Sequence, residues 1–483
     1  MGRVRTYLLA CCLLLTGCPR AVTRVEVQSP LDAREREALD SLQLLFDTAA
    51  SDGESIWPGY RPDALPYLVF RPGQRSFLVN PRSVPAGAVL LHPRGIRYTV
   101  YAIAAADMAV RPGLPFSREF PVGDSTAFLV RHTVHNDRDG WFRLVVHEVF
   151  HEHQRQAFRK APFPARCRFP YEDREMRFLG LVEEKLLASM MRKDESDVVV
   201  SDLALLAGIR SRRYALADGP ADQGIEYWEE KTEGTARYVE ESYAAAAGLT
   251  DRAACRSKLE KYLDDVPAED LQKWKYYRSG LALALAMDSL GLDGWKAACE
   301  EDRCIFPFLL EALPQDAIPS GQALDAQVEQ FRPFMATIDA ATEGYLEREK
   351  SLLAAWQAEG THQFRVALGS RGAAYYSNRG VTFVMADCSR LVTGILQFVD
   401  RSYGLEVRNR GIRLSGMDGP YVIVFYEDAD KGSLRLDGRD YTAGSGKQSF
   451  ARSLSASYPG FDVDWQGSGT AEVTGDRVAL ELY

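Results

Sequence analysis

The sequence has no long basic run, and its formal net charge is −9. Both argue against a nucleic-acid partner, which needs clustered Lys and Arg facing the phosphates. No internal repeat and no low-complexity tract is found, which excludes repeat arrays and linker-dominated chains. Of eight cysteines, three (Cys11, Cys12 and Cys18) lie in the first eighteen residues. The other five, Cys167, Cys255, Cys299, Cys304 and Cys388, contain no Cys-x-x-Cys, which disfavours a thiolate zinc site. Their odd number leaves at least one free thiol, and Cys299 and Cys304 are close enough to pair locally in an oxidising compartment. Histidine is scarce, with seven in 483 residues, so any ordered pattern of histidines carries information. What is abundant is ordinary: 46% hydrophobic and 26% charged residues, enough for a packed core and too polar for a fibre. The length exceeds one typical domain.

The N-terminus reads as a targeting segment. Arg3 and Arg5 precede an apolar run from Tyr7 to Leu15, which is too short to cross a bilayer as a helix. Leu15-Thr16-Gly17-Cys18 follows and resembles the bacterial lipobox, in which the cysteine is lipidated and becomes the new N-terminus. The resemblance implies a signal peptide over 1–18, lipid attachment at Cys18 and a soluble body tethered to a membrane. Pro19 follows the cysteine, with no Asp of the kind linked to inner-membrane retention. The expected location is the bacterial envelope, at the outer membrane facing the periplasm or the surface.

After a short tether, Leu31 to about Ala50 has helical spacing. Short extended runs follow at 67–70, 76–79, 89–91, 96–103 and 127–133, separated by Pro and Gly, and predict a sheet. From Trp141 to about Phe158 the pattern is helical, with Asp139 as the expected N-cap. Helix dominates from Tyr171 to about Glu359, broken at Asp218-Gly219-Pro220, Gly291 and Pro314. Beyond Gly360 the pattern becomes short alternating strands with turns such as Asp437-Gly438. The expected division is a domain over 19–359, with a sheet lobe at 55–135 and a helical part at 140–359, then a β-rich accessory domain over 360–483.

His147-Glu148-Val149-Phe150-His151 carries the chemistry. The two histidines stand one helical turn apart, so both imidazoles leave one face and can bind one metal. Glu148 lies about 100° round the helix, from where a carboxylate reaches a water rather than the metal. In a chain of this composition the pattern arises by chance on the order of once in a hundred. Leu144, Val145, Val146, Val149 and Phe150 surround it, predicting a buried helix whose polar groups need partners. Gln154 shares the face of the two histidines and can support them from behind; His153 points elsewhere and reads as structural. His132 and His135 are spaced so that a strand sends them to opposite faces, which disfavours a shared metal. No Gly-x-x-His follows His151, and beyond His153 the lone downstream histidine is His362, so a carboxylate is the better third ligand.

The stretch Glu233-Gly234-Thr235-Ala236-Arg237-Tyr238 resembles the Glu-Gly-x-Ala segment that carries the third zinc ligand in gluzincins, such as aminopeptidase N and glycyl aminopeptidases. The resemblance makes Glu233 the third ligand, with Glu229 and Glu230 as alternatives, and gives Gly234 the use of letting backbone approach the metal. The competing reading is a solvated helix face shared by Glu226, Glu230, Arg237 and Glu240. Downstream, Tyr276-Tyr277-Arg278-Ser279-Gly280 opens an apolar helix and is similar to the Tyr-x-x-Gly step of the same group. That similarity makes Tyr277 the oxyanion donor, with Tyr276 as the alternative. It covers about 147–295. The chain departs from the group in a much longer spacing from His151 to Glu233, in the place of Trp228 and in having no Gly-x-Met-Glu-Asn motif. Aminopeptidase activity is therefore not implied.

The expected fold class is α+β: a zincin-like domain with an N-terminal sheet lobe, an active-site helix and a helical C-lobe, followed by the β-rich domain. The expected function is a membrane-anchored zinc metallopeptidase acting on a peptide or protein, with Zn2+ held by His147, His151 and Glu233 and with Glu148 as general base. His and carboxylate ligands admit other divalent ions as well. The alternative is a non-catalytic zinc-binding envelope lipoprotein whose β-domain is a binding module. Nothing in the sequence specifies an oligomeric state.

Overall fold

The computed structural model describes residues 30–357, apart from 72–73, 104–115, 123, 133–136, 160–172, 193–195, 217–219 and 265–274, and, from 362 onward, the backbone of fifteen strands. The N-terminal segment with Cys18, and also His135, Cys167 and Cys388, lies outside the described residues. The chain divides into two units: Met1–His153 with Ser242–Leu249, and Gln154–Glu241 with Thr250–Tyr483.

In the first unit, helix α1 (Ala33–Ser51) starts on a capping box. Asp32 accepts from Glu35 N at 2.7 Å, and the Glu35 carboxylate accepts from Asp32 N at 2.8 Å. Six strands follow: β1 (Tyr67–Phe70), β2 (Ser76–Val79), β3 (Val89–Leu91), β4 (Val100–Ile103), β5 (Phe116–Val122) and β6 (Ser125–Arg131). They form one sheet in the order β3-β4-β2-β1-β6-β5, with β1 and β6 parallel and the other neighbours antiparallel. Strand β1 is buried on both faces. Because strand side chains alternate, Leu68 and Phe70 join Leu78, Ile103 and Leu129 on one side. Tyr67, on the other, meets Phe46 of α1 at 5.7 Å between ring centres. Each such fully buried large side chain contributes about 1.5–3 kcal/mol.

Helix α2 (Arg138–Ala157) follows β6. Its cap is Asp137 rather than the expected Asp139: the Asp137 carboxylate accepts from Gly140 N at 2.6 Å, while Asp139 already lies in the first turn. Trp141 Nε1 donates to Arg131 O at 3.1 Å and ties the helix start to β6. Further along, Phe150 is enclosed by Trp57 and Tyr60 at 4.9 and 5.2 Å, and Tyr60 Oη donates to Val146 O.

The second unit begins inside α2 and, up to residue 357, is largely helical. It contains α3 (Arg174–Arg192), α4 (Ser196–Leu216), α5 (Pro220–Glu229), a π-helical turn (Glu230–Gly234), the start of α6 (Thr235–Ala246), whose end from Ser242 belongs to the first unit, α7 (Arg252–Asp264), α8 (Lys275–Ser289), α9 (Trp295–Glu300), α10 (Ile305–Ala312), α11 (Gly321–Glu329) and α12 (Met335–Gln357). Helix α3 packs on α4, α7 and α8, and the π turn packs on α8. Charge runs through this layer. Arg210 is fully buried and grips Glu230 bidentately, Nη1 to Oε2 at 3.0 Å and Nη2 to Oε1 at 2.6 Å. Arg210 also pairs with Glu226 at 3.1 Å, Arg213 pairs with both Glu183 and Glu226, and Lys275 donates to Glu183 at 3.0 Å. Charges out of water cost several kcal/mol each unless paired, and here each has at least one partner. Burial pushes the Glu226 carboxyl up, yet Arg213, Lys275 and Arg210 hold it well below the usual range.

Strands β7 (His362–Ala367) to β21 (Arg477–Leu482) form two sheets, β17-β20-β21-β7-β14-β13-β10-β9 and β16-β15-β18-β19-β12-β11-β8. Only β21 and β7 pair in parallel. Leu436 of β15 pairs with Arg439 of β16, and the expected turn at Asp437-Gly438 lies outside the described residues.

Candidate metal centre

His147 and His151 leave α2 on one face, four residues apart. Their Nε2 atoms lie 3.1 Å apart, with ring planes at 87°. One ligating atom each from His147, His151 and Glu233 fall within 4.8 Å of one another. His151 is buried, and His147 and Glu233 are half-buried. Two zinc–nitrogen bonds of about 2.0–2.1 Å at a tetrahedral angle hold their nitrogens roughly 3.3–3.4 Å apart. The spacing of the two imidazoles is close to that, and two imidazole nitrogens with one carboxylate are a donor set that zinc and other divalent ions accept. The residues present therefore fit the metal. Glu148 is half-buried, beside His147 on the same helix.

Glu233 lies in the π turn, and that turn separates it from its neighbours. In a continuous α-helix Glu226, Glu230 and Glu233 share one face, as the sequence suggested. An i→i+5 turn holds more residues per turn, so each advances by less than the usual 100° or so. Glu230 stays with the buried cations and also accepts from Ser279, whereas Glu233 is turned out of that row. The solvated face expected as the competing reading is absent here: Glu226 and Glu230 are fully buried, and Glu240 is buried against Arg237. Of the two alternative ligands, Glu230 is occupied by Arg210, and Glu229 is buried and outside the three-residue cluster.

Gly234 admits the close approach of another backbone. A Cβ there would sit 2.6 Å from Gly280 Cα and 3.3 Å from Tyr276 O, so the backbone it admits is that of α8. Gly280 is the reciprocal position, with Gly234 Cα at 2.7 Å and Glu230 O at 2.8 Å from its would-be Cβ. The crossing lays the first turn of α8, with Tyr276 and Tyr277, both half-buried, against the turn that carries Glu233.

Among the described residues no other histidine belongs to this cluster. His153 stacks on Phe150 at 5.5 Å and meets Tyr60 edge-on. His132 is buried against Trp141, and burial and the nearby Arg71 push its pKa down. His362 starts β7, opposite Tyr426. Cys255, Cys299 and Cys304 are free thiols, so the local Cys299–Cys304 pair is not formed. Cys299 is buried in α9 while Cys304 precedes α10, and burial pushes both thiols up, away from the reactive thiolate.

Several residues around the site were not singled out from sequence. Arg210 and Ser279 anchor Glu230, and Lys231 pairs with Asp302, a residue at φ +74°. Thr235 Oγ1 donates to Lys231 O at 2.5 Å. A hydroxyl four residues after a carbonyl was the only trace of this in the sequence.

No family model, no curated protein and no solved structure matches this chain.

Proposed function

We propose that the protein is a zinc-dependent metallopeptidase of gluzincin type, with His147, His151 and Glu233 as metal ligands. The observation that carries the reading is the convergence of these three ligating atoms within 4.8 Å, two from one helical turn and one from a turn 82 residues further on. A structural zinc site is usually closed by four protein ligands; three with an adjacent glutamate suit hydrolysis.

When bound, zinc supplies a Lewis acid and lowers the pKa of water towards about 7. Glu148 takes the proton of the attacking water as its oxygen adds to the peptide carbonyl. It then returns that proton to the amine nitrogen as the C–N bond breaks. Tyr277 donates a hydrogen bond to the carbonyl oxygen as negative charge gathers there. A peptide or protein is the substrate. The lipobox-like segment implies that the enzyme works from the surface of an envelope membrane, and among the described residues no helix is long and apolar enough to cross one. The β-strand region is a binding module in this reading, as it is in the non-catalytic alternative.

Substitution Glu148→Gln separates the two readings. Zinc stays bound at one equivalent by elemental analysis, and cleavage of a peptide library falls by about 10²–10⁴-fold. Undiminished cleavage overturns the catalytic role of Glu148, and a wild-type protein that holds zinc but cleaves nothing favours the non-catalytic reading.

A further inference from the structure

The π turn that carries Glu233 has a structural cost that one side chain relieves. Widening a helix by one residue breaks the regular i→i−4 ladder and leaves carbonyls that must find other donors. At Lys231 O that donor is Thr235 Oγ1. Thr232 O accepts from Thr235 N and takes a second, cross-helix bond from Gln154, whose Nε2 donates at 2.7 Å; the same nitrogen also donates to Thr235 Oγ1 at 2.8 Å. Gln154 is buried, so these bonds form away from competing water. It stands on α2 three residues after His151, on the face of both histidines, and its two acceptors bracket Glu233 in sequence.

We infer that Gln154 is the positioning residue of the metal centre, fixing the turn that carries Glu233 against the helix that carries His147 and His151. One primary amide spends both its protons on the two sides of Glu233. The register between the third ligand and the first two is thus set by hydrogen bonds from the ligand helix itself. Without them Thr232 O keeps only the local bond from Thr235 N, the turn loses its tie to α2 and is free to relax to α-helical phase, and Glu233 rotates towards the row of Glu226 and Glu230. Supporting groups of this kind change metal affinity by about 10–100-fold.

This inference rests on the metal-site reading, and its test separates the two. Gln154→Leu keeps the volume and removes both donors; Thr235→Val removes one acceptor. Competition titration with zinc is expected to show Gln154→Leu binding about 10–100-fold more weakly than wild type, with Thr235→Val in between. The ligand-field spectrum of the cobalt-loaded protein is expected to change in Gln154→Leu, and far-UV circular dichroism to stay the same. Hydrogen exchange at 230–235, measured without metal, is expected to be at least tenfold faster in Gln154→Leu. Wild-type affinity with an unchanged cobalt spectrum overturns the positioning role. If wild type binds no zinc, the metal-site reading fails, and unchanged exchange at 230–235 in Gln154→Leu then overturns the inference on its own.

Discussion

At the scale of single residues, the chain offers three glutamates within five positions, and only their partners tell them apart. Glu230 neutralises buried Arg210, and Glu233 reaches the histidines. Substituting each by Gln should therefore produce opposite failures. Glu233→Gln is expected to lose stoichiometric zinc while unfolding in urea much as the metal-free wild type does. Glu230→Gln is expected to keep its zinc and lose about 3–5 kcal/mol of stability, because a buried guanidinium is left under-compensated. Elemental analysis beside urea unfolding reads both; loss of zinc in Glu230→Gln alone would exchange the two roles. The sequence cannot make this distinction, because in uninterrupted helical phase both carboxylates belong to one face. The histidine pair was legible for the opposite reason: a four-residue spacing on a helix fixes one face without help from the rest of the fold.

At the scale of elements, the turn and helix α8 touch backbone to backbone. At Gly280 the atoms that a methyl group would strike are Gly234 Cα and Glu230 O, neither of which can swing aside as a side chain does. Gly280→Ala is expected to cost about 1–3 kcal/mol as overpacking and to weaken zinc binding by displacing the turn. A urea midpoint and a zinc affinity both equal to wild type would sink this account. Much at this scale could be read from sequence. The apolar periodicity of α2 led to a helix over 141–158, against Arg138–Ala157 observed, and the extended runs at 67–70, 76–79 and 89–91 coincide with β1 to β3. Strand β5 was not anticipated: it carries Pro121, a residue that argues against a strand, and it survives at the sheet edge where a missing donor costs least. The π turn was not anticipated either. Its extra residue is accommodated by Gln154 and by contacts with α8, which lie far away in sequence and leave no local mark.

For the molecule as a whole, the buried charges set the pH range of stability. Glu184 is fully buried on α3, and burial pushes its carboxyl up to about 7 against the pull of Arg278, Lys275 and Arg210, with Glu183 adding to the rise. Its nearest cation, Arg278 Nε, is 3.9 Å away. A carboxyl raised above its unfolded value near 4.5 favours folding below that pH, and the contribution is lost as pH rises through 7. His132 acts in the opposite sense: held below the usual 6.5 or so, it destabilises the fold as pH falls and its ring must charge. Stability should therefore peak in weakly acidic solution. Glu184→Gln mimics the neutral acid, and it is expected to raise stability at pH 8 by at most about 3 kcal/mol and to change little at pH 5. Thermal unfolding across that range checks it; an equal effect at both ends would mean that Glu184 does not titrate there.

The glycine crossing also imposes a timetable on the chain. All three proposed ligands are synthesised by residue 233, yet the backbone that braces the third one arrives only with Gly280. A nascent chain ending near residue 250 would own every metal-binding atom and still lack the contact that seats one of them. Because non-local contacts form slowly, the proposed metal centre is expected to be completed only once Gly280 is in place. Under the proposed envelope location, a chain exported unfolded would then take up the proposed metal ion at its destination rather than carry it there.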